Sequence, residues 1–139
     1  MRSRSDEIDP QATIDRAFRL NLCGFGRLVT EEGRLARRVA RFADVEDGAF
    51  VWTRDADGLY WLGRISGPYF YDNTEDAAAV DLVHVRTCDW LPEPVVESET
   101  PAAVVATFGR GGRNFQQTHD RTVSNDTQRL WDARSRKRR

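Results

Sequence analysis

Hydrophobic positions along the chain change their period twice. In "TIDRAFRLNL" Ile14, Phe18 and Leu22 recur four residues apart, which predicts a short amphipathic helix. "CGFGRLV" follows, with Phe25 between Gly24 and Gly26. It reads as a loop or a first strand, since glycines inside a strand mark a bulge or the close approach of a ligand. "TEEGRLARRVARFADV" predicts a second helix: Thr30 is its N-cap, Glu31 and Glu32 suit the first turn, and Leu35, Val39 and Phe42 form its buried stripe. Arg34, Arg37, Arg38 and Arg41 lie on its other faces and read as a solvated surface before a nucleic-acid contact.

From Glu46 the pattern turns to strands. "AFVWTR" and "LYWLGRIS" flank "DADG", a turn sequence ending in Asp-Gly, so a hairpin is expected, with a bulge at Gly63. "GPYFYDNTED" is expected to turn at Gly67-Pro68 and to end in the polar cluster Asp72, Asn73 and Thr74. "DLVHVRTCDWL" predicts a further strand and "PEPVVESETP" a proline-bracketed loop. "AAVVATF" fits a strand or a short helix. "GRGGR" reads as a flexible loop, "NFQQTHDRTVSND" as strand and loop, and "TQRLWDARSRKRR" as a helical turn on Leu130 and Trp131 with a basic end.

These elements predict an α+β chain: a small twisted antiparallel sheet closing towards a barrel, with one to three flanking helices. The expected organisation is a disordered N-terminus over 1–11, one domain over 12–131 and a basic tail over 132–139.

Charge divides the chain more sharply than its net value of −1 suggests. Residues 1–43 carry nine arginines against six acids, residues 44–100 three against thirteen, and residues 101–139 nine basic residues against three acids. A polyanion would be held by the ends and repelled by most of the middle. Lys137 is the only lysine, so lysine-dependent catalysis has almost no candidate. No apolar run is long enough to span a membrane and no secretory h-region opens the chain, so a cytoplasmic protein is expected. Cys23 and Cys88 read as buried, reduced thiols. With His84 and His119 they show no metal-ligand spacing. There is no nucleophile elbow and no phosphate loop. The expectation is a binding protein, not an enzyme, with no metal and no cofactor.

Aromatic residues concentrate in "YWLGRISGPYFYD", where five of thirteen positions are aromatic. By alternation Trp61 falls on a core side, Trp90 closes a strand as a core plug, and Trp52 fits core or ligand. Tyr69 and Tyr71 share one face if extended, and their hydroxyls favour a wet edge.

The segment "EDGAFVWTRDADGLYWLGRISGPYFYDN…HVRTCDWL" resembles the EVE-like branch of the PUA-like domains. The resemblance lies in a Gly-containing turn before a strand, an apolar strand running into "LGRISGPYFYD", and a strand with His and Arg ending in Trp-Leu. "CGFGRL" and "PAAVVATFGRGGRNFQQ" resemble the opening and closing segments of such domains. The resemblance implies a PUA-like β-barrel with a pocket that receives one flipped base, a modified base in DNA being favoured and RNA possible. It also implies a separate effector nuclease as a possible partner. The candidate base pocket is Phe25, Trp52, Tyr69, Tyr71, Asp72 and Asn73; the candidate phosphate contacts are Arg110, Arg113 and Asn114. A protein- or small-molecule-binding barrel, with the aromatics as an interaction patch, is the alternative.

Overall fold

The computed structural model of the chain describes residues 9–26, 32–110, 115–117 and 121–137. Elements run in the order α1 (Pro10–Leu20), β1 (Leu22–Phe25), α2 (Glu32–Asp44), β2 (Phe50–Arg54), β3 (Tyr60–Tyr71), α3 (Glu75–Ala79), β4 (His84–Trp90), α4 (Ala102–Gly109), β5 (Gln116–Gln117) and α5 (Arg121–Lys137). The strands form one antiparallel sheet in the order β1-β4-β3-β2-β5. It curls into a half-barrel flanked by helices, with β1 and β5 as its edges among the described residues. The α+β class with a small curled antiparallel sheet therefore holds.

Local chemistry explains the hairpin. Asp55 Oδ1 accepts from the Asp57 and Leu59 amides at 2.9 and 3.0 Å, and Gly58 takes a φ of 83°. An aspartate followed by a left-handed glycine closes such a turn without strain. Trp61 is half-buried against Phe18 and donates its indole N–H to Asp55 Oδ2 at 2.8 Å, so it pins the turn as well as packing. Trp90 plugs the core as expected, its indole donating to the Leu22 carbonyl at 3.0 Å.

Both faces of the sheet are covered. Phe50, Trp52, Tyr60 and Leu62 pack with Leu91, Val95, Val104, Phe108 and Trp131, beneath α4 and α5. On the other face Cys23, Val51, Ile65, Cys88 and Trp90 meet Phe18, Phe42 and Phe115. Two-sided burial explains why β2 reads as a continuous apolar run and not as an alternation.

The structure corrects several expectations. β3 does not turn at Gly67-Pro68; it continues to Tyr71, and the irregularity expected at Gly63 lies at residues 66–68 instead. Ile65 pairs with Cys88 and Tyr69 with Arg86, so three residues of β3 face Thr87 alone. Pro68 has no amide to donate, which suits a break in the ladder. Gly63 is there for space: a Cβ would lie 2.6 Å from Cys88 Sγ and 2.7 Å from the Trp90 ring.

"AAVVATF" resolves as helix α4. Residues 121–126, expected as strand and loop, belong to α5, which continues to Lys137 through much of the expected tail. α1 likewise takes in Pro10 and Gln11, with Asp9 capping it. Leu35, Val39 and Phe42 do share one side of α2, but all three are half-buried, not enclosed.

One side chain ties α2 to the sheet. Arg86, 2% exposed in the middle of β4, donates Nε to the Gly67 carbonyl at 2.8 Å. Its other nitrogens reach the Phe42 carbonyl at 3.0 Å, the Val45 carbonyl, and Asp47 Oδ1 at 2.7 Å. A cation on the last carbonyls of a helix satisfies orphan acceptors and complements the helix dipole.

Candidate functional site

Pairing register puts several chemistry-bearing side chains on one face. Phe25 of β1 stands opposite His84 of β4, which stands opposite Tyr71 of β3; Tyr69 is two residues back, opposite Arg86. Tyr69 hydroxyl and His84 Nδ1 are hydrogen-bonded at 2.8 Å, and their rings lie nearly parallel, 17° apart. Tyr71 meets His84 edge-on at 5.3 Å, and Phe25 meets it at 5.3 Å from the other side. Burial, and then the neighbouring Tyr71, push the Tyr69 phenol above its ordinary pKa, so it stays a neutral hydroxyl.

Beside this cluster α2 crosses the same face and leaves a cavity of about 460 Å³. Phe25, Phe42 and Phe115 give it aromatic walls, Cys23, Val51 and Ile65 an apolar floor, and Arg38 and Arg41 a basic side. The Arg38 guanidinium lies 4.1 Å from the centre of the Phe25 ring, and the Phe42 ring meets Phe25 edge-on at 5.3 Å. Arg34, Arg37, Arg38 and Arg41 have no carboxylate partner among the described residues. Burial, and then the charge of Arg41, lower the Arg38 pKa from its ordinary value. The result is a concave, apolar, ring-lined site with positive charge beside it that no carboxylate among the described residues pairs, suited to a flat ligand bearing an anion.

The sequence-derived site residues divide on inspection. Phe25 lines the cavity. Tyr69 and Tyr71 share its face through His84 but stand beside the cavity and not on its wall.

Trp52 is a correction. It is fully buried on the opposite face, its indole N–H donating to Thr127 Oγ1 at 3.3 Å, so it holds α5 on the sheet and cannot meet a ligand. Asp72 is likewise engaged: it accepts from Arg16 at 3.1 Å and from the Thr74 hydroxyl at 2.8 Å, fastening α1 to the start of α3. Asn73 is exposed. Arg110 is exposed at the end of α4 and does not line the cavity. Arg113 and Asn114 lie outside the described residues.

Arg38, Arg41, Phe42 and His84 join the site only in the folded chain. The arginine spacing on α2 is plain in the sequence, but periodicity does not say which element a helix crosses.

Asp72 gives a pH test. Burial pushes its carboxyl up, but hydrogen bonds from Thr74 and Arg16 and the Arg16 charge outweigh that and hold it below the usual carboxylate range. A depressed folded-state pKa gives stability that is present above the unfolded value of about 4 and is lost as pH falls through the folded value. Asp72→Asn is expected to flatten the acid limb of stability, measured by urea unfolding at neutral and at strongly acid pH. An acid limb as steep as that of the parent chain would refute this linkage.

No protein-family model, curated protein or solved structure matches the chain. Among the described residues no helix is long and apolar enough to cross a membrane, and no group of three or more His, Cys, Asp or Glu side chains is arranged to hold a metal ion.

Proposed function

We propose that the protein is a non-catalytic, PUA-like nucleic-acid-binding module of the EVE-like type, which takes one base out of a duplex into the cavity between β1 and α2. The observation that supports this best is the pairing of aromatic walls with arginines that have no carboxylate partner among the described residues, at one cavity of nucleotide-compatible size. An extruded base loses a few kcal/mol of stacking and pairing. A ring-lined pocket returns roughly 1–3 kcal/mol per stacked base. Arginines on α2 supply phosphate contacts, which position the nucleic acid without reading its sequence. A modified base in DNA is the favoured target, on the strength of the EVE-like pattern.

Binding of labelled duplexes at low salt, with and without a modified base and in competition with RNA, tests the reading. Phe42→Ala should weaken binding by about 1–3 kcal/mol through the lost stacking wall. Arg41→Ala should weaken all duplexes alike and reduce the salt slope by about one. Phe70→Ala, on the opposite face of β3 and 43% exposed, should change neither. Preference for RNA would move the module to RNA; no shift with any duplex or RNA would end the proposal.

A further inference from the structure

Phe25 is buried, and its ring has close neighbours on several sides. Phe42 meets it in a T-shaped contact and His84 lies tilted against it, each with ring centroids 5.3 Å apart. Over the ring, at 4.1 Å, lies the Arg38 guanidinium. That distance is about one van der Waals contact, so a base cannot stack on the same face until Arg38 leaves.

Arg38 is poorly compensated where it sits. It is half-buried, has no carboxylate among the described residues, and has Arg41 three residues on, on the same side of the helix. Burial and that like charge together lower its pKa, as they do for a cation lacking a counter-anion. The aromatic face is its partner in the free protein. A phosphate would be a better one, because it accepts two charge-assisted hydrogen bonds from a planar guanidinium.

We infer that Arg38 is a latch on the cavity: it covers the stacking face of Phe25 in the free protein, and the phosphate beside an extruded base draws it off as the base takes its place. The inference rests on the nucleic-acid reading above. It adds that the site selects a ring with an adjacent phosphate anion, because a neutral ring must expel the cation without offering it a new partner. Arg38 thereby couples phosphate contact to base entry, whereas Arg41, beside it, contributes charge alone.

The test uses the full chain and a duplex with a central mismatch, which lowers the energy needed to extrude a base. In the free protein the Arg38 Nε–H proton, assigned by its loss in Arg38→Lys, should be shifted upfield by the Phe25 ring. On saturation with duplex it should move downfield to the ordinary arginine position. Neutral methylphosphonate linkages on either side of the mismatched nucleotide should weaken the parent protein by about tenfold, the scale of one charged hydrogen-bonding partner. They should weaken Arg38→Ala by twofold or less.

Arg38→Lys keeps the charge without the planar stack, so it should retain the methylphosphonate penalty. If the duplex binds while the Arg38 proton stays shielded, the latch is wrong and the nucleic-acid reading stands. Equal methylphosphonate penalties in the parent and in Arg38→Ala would likewise overturn the latch alone. If no duplex binds, both fall together.

Discussion

Replacing Arg86 by methionine will destabilise the chain by roughly 3 kcal/mol, read as a lower urea midpoint, and will abolish ligand binding with it. The side chain is buried and donates to three backbone carbonyls, those of Gly67, Phe42 and Val45. Methionine fills much of the volume but donates nothing, and each stranded acceptor costs about 1–3 kcal/mol before water finds a way in. The carboxylate end of the network contributes much less, because the Asp47 side chain is 67% exposed. Asp47→Asn should therefore cost under about 1 kcal/mol, as exposed partners of ion pairs do. Equal losses from the two substitutions would mean that the ion pair, and not the carbonyl set, holds α2. Binding is lost in Arg86→Met because Phe42, Arg38 and Arg41 ride on the helix that Arg86 fastens.

Gly24→Ala will be as damaging, for a steric reason. A Cβ at this position would lie 1.9 Å from the His84 carbonyl oxygen and 2.9 Å from its carbon, and the backbone φ is 156°. Nothing there is a flexible side chain that could swing aside. β1 would have to part from β4, and the loss should exceed about 3 kcal/mol, combining a disfavoured backbone region with overpacking. Thermal melting measures the total. Amide exchange at Val83, whose N–H donates to the Phe25 carbonyl at 3.2 Å, measures whether β1 is the part released. Gly109→Ala is the matched control: nothing lies within 4 Å of its Cβ, at the end of α4. That substitution should be neutral or stabilise by up to about 1 kcal/mol. A Gly24→Ala protein that melts with the parent would refute the close β1–β4 approach that floors the cavity.

Features set by local chemistry are legible in the sequence, and features set by which element covers which face are not. The Asp55 to Gly58 turn, the two strands around it and the helix over Ile14 and Phe18 all follow from neighbours in the chain. The start of α5 does not, because Thr122, Val123, Ser124, Asn125 and Asp126 are mediocre helix formers. Its helical character comes from Val123, Thr127, Leu130 and Trp131, spaced i, i+4, i+7 and i+8, meeting the Phe50 and Trp52 side of the sheet. Trp52 itself cannot be assigned from alternation, since both faces of β2 are buried. Of the site, Phe25 between its glycines is legible, because a residue flanked by Gly24 and Gly26 advertises close backbone approach. The arginines of α2 are not, because only the tertiary position of the helix distinguishes a solvated face from a cavity wall.

The break in β3 constrains how this chain can vary. Opposite Thr87 the strand carries two more residues than a regular ladder needs, and two is an even number. Side-chain facing is therefore unchanged across the break, and Tyr69 and Tyr71 stay on the side of Ile65. Deleting one residue among Ser66, Gly67 and Pro68, with the shape of the break kept, would reverse that parity, putting Phe70 against Arg86, Asp72 against His84 and both tyrosines on the outer face. Deleting two would remove the irregularity and leave the tyrosines where they are. Related chains should thus differ in length at this point by pairs of residues, a signature that can be sought in sequence alone.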